Sequence, residues 1–136
     1  RLVRDWSSDV CSSDLTFVQE IKMDGVIVVS TPQEVALIDV KRGIRMFDKF
    51  QIKILGLVEN MSYFKGDDGK KYAIFGEGGV KKTAEEFKKD FLGEIPIDPE
   101  VGKQGDLGIP IVESNPDHLI SKIYLELANR IKLKYS

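Results

Sequence analysis

The sequence predicts an α/β protein: a partial, mostly parallel sheet with flanking helices. Three observations carry that expectation. Two apolar runs, "DGVIVVS" (Asp24 to Ser30) and "QIKILGLVEN" (Gln51 to Asn60), are rich in aliphatic residues and short enough to be strands. The stretch between them has helical spacing, so strand, helix and strand make one βαβ unit with an expected right-handed crossover. A further strand-like run, "FLGEIPI" (Phe91 to Ile97), is followed again by helix signals.

The first run reads as a central strand buried on both faces. After it Thr31 can cap a helix, Pro32 suits the first helical position, and Glu34 three residues past the cap completes a capping box. Ala36, Val40, Ile44 and Phe47 then recur on one face, with Asp39, Arg42 and Arg45 on the wetter side. Beyond the second strand, "YAIF" (Tyr72 to Phe75) is expected to pair back on "SYF" (Ser62 to Phe64). The turn is "KGDDGKK", with Gly66 and Gly69 easing the backbone. A helix from Gly79 to about Lys89 turns Val80, Ala84 and Phe87 inward. Asp98 and Pro99 repeat the cap-plus-proline start for a short helix ending near Gly105 to Gly108. Asn115 and Pro116 open the last helix, whose apolar stripe is Ile120, Ile123, Leu127 and Ile131.

With 136 residues, 42% hydrophobic and 31% charged, the composition is that of one soluble globular domain. A net charge of −2 argues against a general binder of nucleic acid or anionic membrane, and no apolar run is long enough to span a bilayer. The opening "RLVRDWSSDVCSSDL" repeats "SSD", has no apolar period and carries no signal-peptide core. It resembles a translated sequencing adapter. Residues 1–15 are therefore read as a non-native leader expected to be disordered, and residues 16–136 carry the functional reading. The one cysteine, Cys11, falls in that leader, and His118 is the one histidine. No disulfide, zinc or iron–sulfur site can be assembled from residues 16–136 alone. A cytoplasmic setting is compatible with this thiol usage.

"GEGGVKKT" (Gly76 to Thr83) approaches a phosphate-binding loop, which needs G-x-x-x-x-G-K-[ST] so that backbone N–H groups can wrap the phosphates. Gly76, Lys82 and Thr83 fall in register, but Lys81 stands where the second glycine belongs, and its Cβ obstructs the cradle. The segment is read as a Gly-rich start to a helix. His118, with no ligand partner in pattern, is read as a first-turn helix residue. "VKKTAEEFKKD" is read as a solvated face with salt-bridge spacing.

Taken together, "DGVIVVSTPQEVALIDVKRGIRMF", "ILGLVENMSYF", "IFGEGGVKKTAEEF" and "FLGEIPIDPEV" resemble the C-terminal half of the Mrp/ApbC family. That family comprises P-loop ATPases, similar in fold to MinD and ParA, that carry iron–sulfur clusters to apoproteins. The resemblance covers roughly Phe17 to Arg130. It implies that residues 16–136 are the C-terminal part of one P-loop ATPase domain, with the phosphate loop and the Mg²⁺-holding residues upstream. ATP and Mg²⁺ then belong to the intact parent, and this part alone is expected to be inactive. By the same resemblance Asn60 faces the adenine edge, and Pro96 and Asp98 help enclose the base. An amide can offer a base edge both a donor and an acceptor. From residue type alone, Asn60 fits a self-stabilised turn equally well, and Asp98 fits a plain helix cap, which the resemblance puts near the base. Many members carry Cys-x-x-Cys between "SYF" and "IFG", where paired chains would hold a [4Fe–4S] cluster. Here "KGDDGKKYA" (Lys65 to Ala73) stands instead, and its adjacent aspartates are poor replacements for thiolates. The implied partners are a second copy of the chain and apo iron–sulfur proteins, with no nucleic acid and no membrane. Two alternatives stand beside this reading: a positioning or partition ATPase of the MinD/ParA kind, and a stand-alone, non-enzymatic interaction module.

Overall fold

The computed structural model describes Thr16, Glu20 and residues 22–135; the leader assigned to residues 1–15 lies outside the described residues. The elements run β1 (Val26–Ser30), α1 (Glu34–Lys49), β2 (Ile54–Lys65), β3 (Lys71–Tyr72), α2 (Gly79–Glu86), β4 (Phe91–Ile97), α3 (Pro99–Asp106), α4 (Ile111–Ser114) and α5 (Leu119–Tyr135). β2 is the axis of the sheet. β1 pairs with it in parallel from Val26 opposite Ile54 to Ser30 opposite Glu59. On its other side β4 pairs in parallel, and β3 returns antiparallel to its far end.

Side chains alternate across β2, and each face has its own core. Leu57 and Ile54 join Leu37, Val40, Ile44, Val80 and Ala84 under α1 and α2. Val58 joins Leu92, Ile95, Ile111, Ile120 and Leu127 under α4 and α5. The result is the three-layer α/β arrangement that the alternation of strands and helices predicts. Polar ties close the layers: Lys41 meets Glu86 at 2.9 Å and Lys89 meets Asp48 at 2.7 Å. Arg130 Nη1 donates to the Leu92 carbonyl at 2.7 Å, and the Tyr135 hydroxyl donates to the Leu55 carbonyl at 2.9 Å.

Four expectations need correction. β1 is not buried on both faces: Ile27 and Val29 are 40% and 56% exposed, because the second core draws on β2, β4 and the helices behind them and none of its residues comes from β1. α1 has no capping box. It starts at Glu34 after Gln33, which makes no side-chain cap, while Thr31 Oγ1 only reaches Gln33 Oε1 at 3.4 Å. The rim strand pairs over two residues, Phe64 opposite Tyr72 and Lys65 opposite Lys71, with residues 73–75 outside it. The last helix begins at Leu119, later than Asn115 and Pro116 indicate, and the single turn α4 precedes it. Among the described residues no helix is long and apolar enough to cross a membrane.

Candidate functional site

Open parallel sheets gather ligands beyond the carboxyl ends of their strands. At that edge Asn60 of β2 lies opposite Ile95 of β4, and the register then breaks before Phe64 pairs with Ile97. The extra residues form a bulge in which Met61 takes a left-handed φ of 52°. Asn60 Oδ1 accepts the Met61 N–H at 2.9 Å. Its carbonyl thus performs the turn role, and its amide NH₂ makes no hydrogen bond among the described residues. Pro96, next to Ile95, is buried and shapes the edge without a polar side chain.

Asp98 follows the end of β4 and caps α3, its Oδ1 accepting the Glu100 N–H at 2.9 Å with Pro99 in the first turn. Its Oδ2 lies 3.4 Å from His118 Nε2, while His118 Nδ1 accepts the Ile120 N–H at 3.1 Å. An accepting Nδ1 places the ring proton on Nε2, facing Asp98. His118 therefore joins the starts of α3 and α5.

The residue that sequence reasoning missed is Glu59. It is 1% exposed, and period-two alternation directs it to the α1–α2 face, opposite to Asn60. Its Oε1 accepts from Ser62 Oγ at 2.7 Å and its Oε2 accepts from the Val80 N–H at 3.0 Å. The signal was present as a lone carboxylate at the end of an apolar run, with a hydroxyl three residues on and a Gly-rich helix start downstream.

That helix start is the near-match to a phosphate loop, and its geometry serves another end. No buried strand leads into it. Gly78 precedes α2 with φ +69°, and a Cβ on Gly79 would sit 2.6 Å from the Pro32 carbonyl oxygen. The Thr83 hydroxyl donates to the Gly79 carbonyl at 2.9 Å, inside its own helix. The N–H of Val80, in the first turn where an anion would dock, already serves Glu59.

The rim hairpin is held by its own groups. Asp68 Oδ2 takes the Tyr72 hydroxyl at 2.6 Å and Oδ1 takes the Lys70 N–H at 3.0 Å, while Lys71 Nζ sits 4.4 Å from the Tyr63 ring centre. The Tyr72 hydroxyl, then the Lys70 amide, hold the Asp68 carboxyl below its ordinary value, and the same bond raises the Tyr72 phenol. Among the described residues no three His, Cys, Asp or Glu side chains converge as a metal site. An apolar groove lined by Val101, Ile109, Pro110, Tyr124 and Leu125 lies among α3, α4 and α5 and includes none of the predicted site residues.

The ParA family model described as NUBPL iron-transfer P-loop NTPase matches residues 2–132. The chain belongs to this family. A member from Aquifex aeolicus (strain VF5), an iron-sulfur cluster carrier protein, is 44% identical over 128 residues, covering 93% of this chain and 35% of the relative. Among solved structures, a nucleotide-binding protein from Archaeoglobus fulgidus in complex with ADP superposes with a TM-score of 0.61. It is 41% identical, over 69% of this chain and 39% of that one. The cell division ATPase MinD of Pyrococcus furiosus reaches the same TM-score at 23% identity, over 79% of this chain and 42% of that one, and bears on the fold alone. This member of the family thus spans about a third to two fifths of the length of these proteins.

Proposed function

We propose that this chain supplies the base-side wall and part of the sheet of an ATP-binding, ATP-hydrolysing iron–sulfur cluster carrier. One observation carries the reading: in a member of the iron-transfer P-loop family, Asn60 stands at the carboxyl end of the central parallel strand with an amide NH₂ left for an outside acceptor. The 44% identical Aquifex relative, named a cluster carrier, and the ADP complex of the Archaeoglobus relative support it. The described residues suit a base better than a triphosphate. The N–H of Val80 serves Glu59 and the Thr83 hydroxyl serves its own helix, so the phosphate grip and the Mg²⁺ ligands are assigned to the parent outside this chain. When bound there, Mg²⁺ would neutralise charge developing on the phosphates.

In that parent, a cytoplasmic protein in this reading, nucleotide would bias a homodimer between two arrangements, and the cluster would be cargo for apo iron–sulfur proteins. The rim hairpin, pinned by Asp68 and Tyr72, is not assigned to the cargo. In the intact parent, Asn60→Ala should lower selection of ATP over GTP by about tenfold, the worth of one well-placed hydrogen bond. Unchanged base preference would remove Asn60 from the site. The 136-residue chain alone should not turn over ATP above background, and clear turnover by the pure chain would overturn the assignment of the phosphate grip.

A further inference from the structure

We propose that Glu59 is a positioning residue: it sets the direction in which Asn60 faces the base and ties that direction to α2. The inference rests on the base-wall reading above. A carboxylate 1% exposed, with two neutral donors and no cationic partner among its hydrogen bonds, is an expensive way to fill a core position that an aliphatic side chain would fill well. Its geometry shows what it does there. The bond from Ser62 spans the two bulge residues, Asn60 and Met61, so Glu59 and Ser62 bracket the segment that carries the base-facing amide.

Within the bracket Met61 holds a left-handed φ of 52°, a conformation that a non-glycine residue keeps only where its surroundings impose it. The Asn60 Oδ1 bond to the Met61 N–H lies inside the same bracket and fixes which side of the amide is turned outward. The other carboxylate oxygen reaches α2 at Val80. Its neighbour Gly79 faces the Pro32 carbonyl and Leu37 with no room between them for a Cβ. Bulge and α2 are therefore braced through one side chain. A shift of α2 would turn the amide, and a base held by the amide would resist the shift.

The test uses the 136-residue chain, with adenosine and guanosine as probes and amide hydrogen exchange read by NMR. The unsubstituted chain is expected to favour adenosine; no preference would overturn both the base wall and this inference. Glu59→Leu should speed exchange at Met61 and Val80 together by about tenfold and cut the adenosine preference about fivefold. Glu59→Gln keeps an acceptor for Val80 and turns its NH₂ to Ser62 Oγ, so it should retain both. If Glu59→Leu exposes Val80 while Met61 protection and the adenosine preference stay, Glu59 is a helix cap only and the inference fails. Asn60→Ala separates the two levels. An unchanged preference in that variant sinks the base wall, whereas its loss there and not in Glu59→Leu sinks only the role of Glu59. Should Glu59→Leu not fold, Ser62→Ala removes the bond across the bulge and leaves the one to Val80. Loss of Met61 protection and of adenosine preference then supports the inference, and retention of both overturns it.

Discussion

Alanine placed at two glycines should move stability in opposite directions. At Gly79 an added Cβ lies 2.6 Å from the Pro32 carbonyl oxygen and 2.7 Å from Leu37 Cδ1. The leucine tip can swing aside; the carbonyl cannot without moving the whole β1–α1 loop. Gly79 has no positive φ, so the cost is one of contact, and overpacking of this kind destabilises by about 1–3 kcal/mol. Gly43 lies within α1 with nothing inside 4 Å of an added Cβ. Alanine there only restricts the unfolded chain and should stabilise by roughly 0.5–1 kcal/mol. Urea unfolding followed by circular dichroism measures both. With a slope of about 2 kcal/mol per molar, the Gly79 variant should lose about a molar in midpoint and the Gly43 variant should gain a few tenths, the slopes unchanged. A Gly79→Ala variant as stable as the parent chain would refute the close approach of α2 to the Pro32 loop.

Ile44, fully buried between α1 and the sheet, should cost about 2–5 kcal/mol when cut to alanine, read as a lowered urea midpoint. Asp98→Ala removes the α3 cap and the contact with His118 and should cost about 1 kcal/mol, with Asp98→Asn recovering most of it because Oδ1 still accepts from Glu100. The rim hairpin should depend on pH at both ends. The Asp68 carboxyl is lowered from 3.8, so the stabilisation it contributes is present above that value and lost as pH falls through the lower folded value. The Tyr72 phenol is raised from 10.0, so its contribution holds below that value and is lost as pH rises through the higher folded one. NMR titration of Lys70 and Tyr72 resonances checks both, and Tyr72→Phe should return the Asp68 midpoint toward its ordinary value.

What was legible in the sequence was whatever local chemistry decides. β4 runs from Phe91 to Ile97 as its residues indicate, and Asp98 with Pro99 starts α3, because a short side-chain acceptor and a proline satisfy a helix start without outside help. The stripe Ile120, Ile123, Leu127 and Ile131 lies in or against the second core for the same reason: helical spacing needs no knowledge of the partner. What failed depended on tertiary contact. β1 looks like a two-sided core strand, but its residues cannot reveal that one face stays open. Thr31 and Pro32 look like a cap and a first turn, yet Pro32 is buried against Gly79, and α1 starts at Glu34. Asn60 was placed by resemblance and Glu59 was passed over, although the two are adjacent. One serves the edge of the sheet and the other is spent inside it, and a sequence does not separate those fates for neighbouring polar residues.

Glu59 also explains why "GEGGVKKT" comes so close to a phosphate loop without becoming one. Orphan N–H groups and the positive end of the dipole attract any anion to a helix start, and glycines let that anion's scaffold approach. Here the anion is a carboxylate of the same chain, 3.0 Å from the Val80 N–H and sealed from solvent. A phosphate brought to α2 would meet that negative charge and would have to break the bond to bind, quite apart from the Cβ of Lys81. Gly78 is needed for its left-handed φ of +69° and Gly79 for the approach to the Pro32 carbonyl, which accounts for the Gly-rich helix start. The near-match and the buried glutamate are one feature, and it ties α2 to the strand end where Asn60 stands.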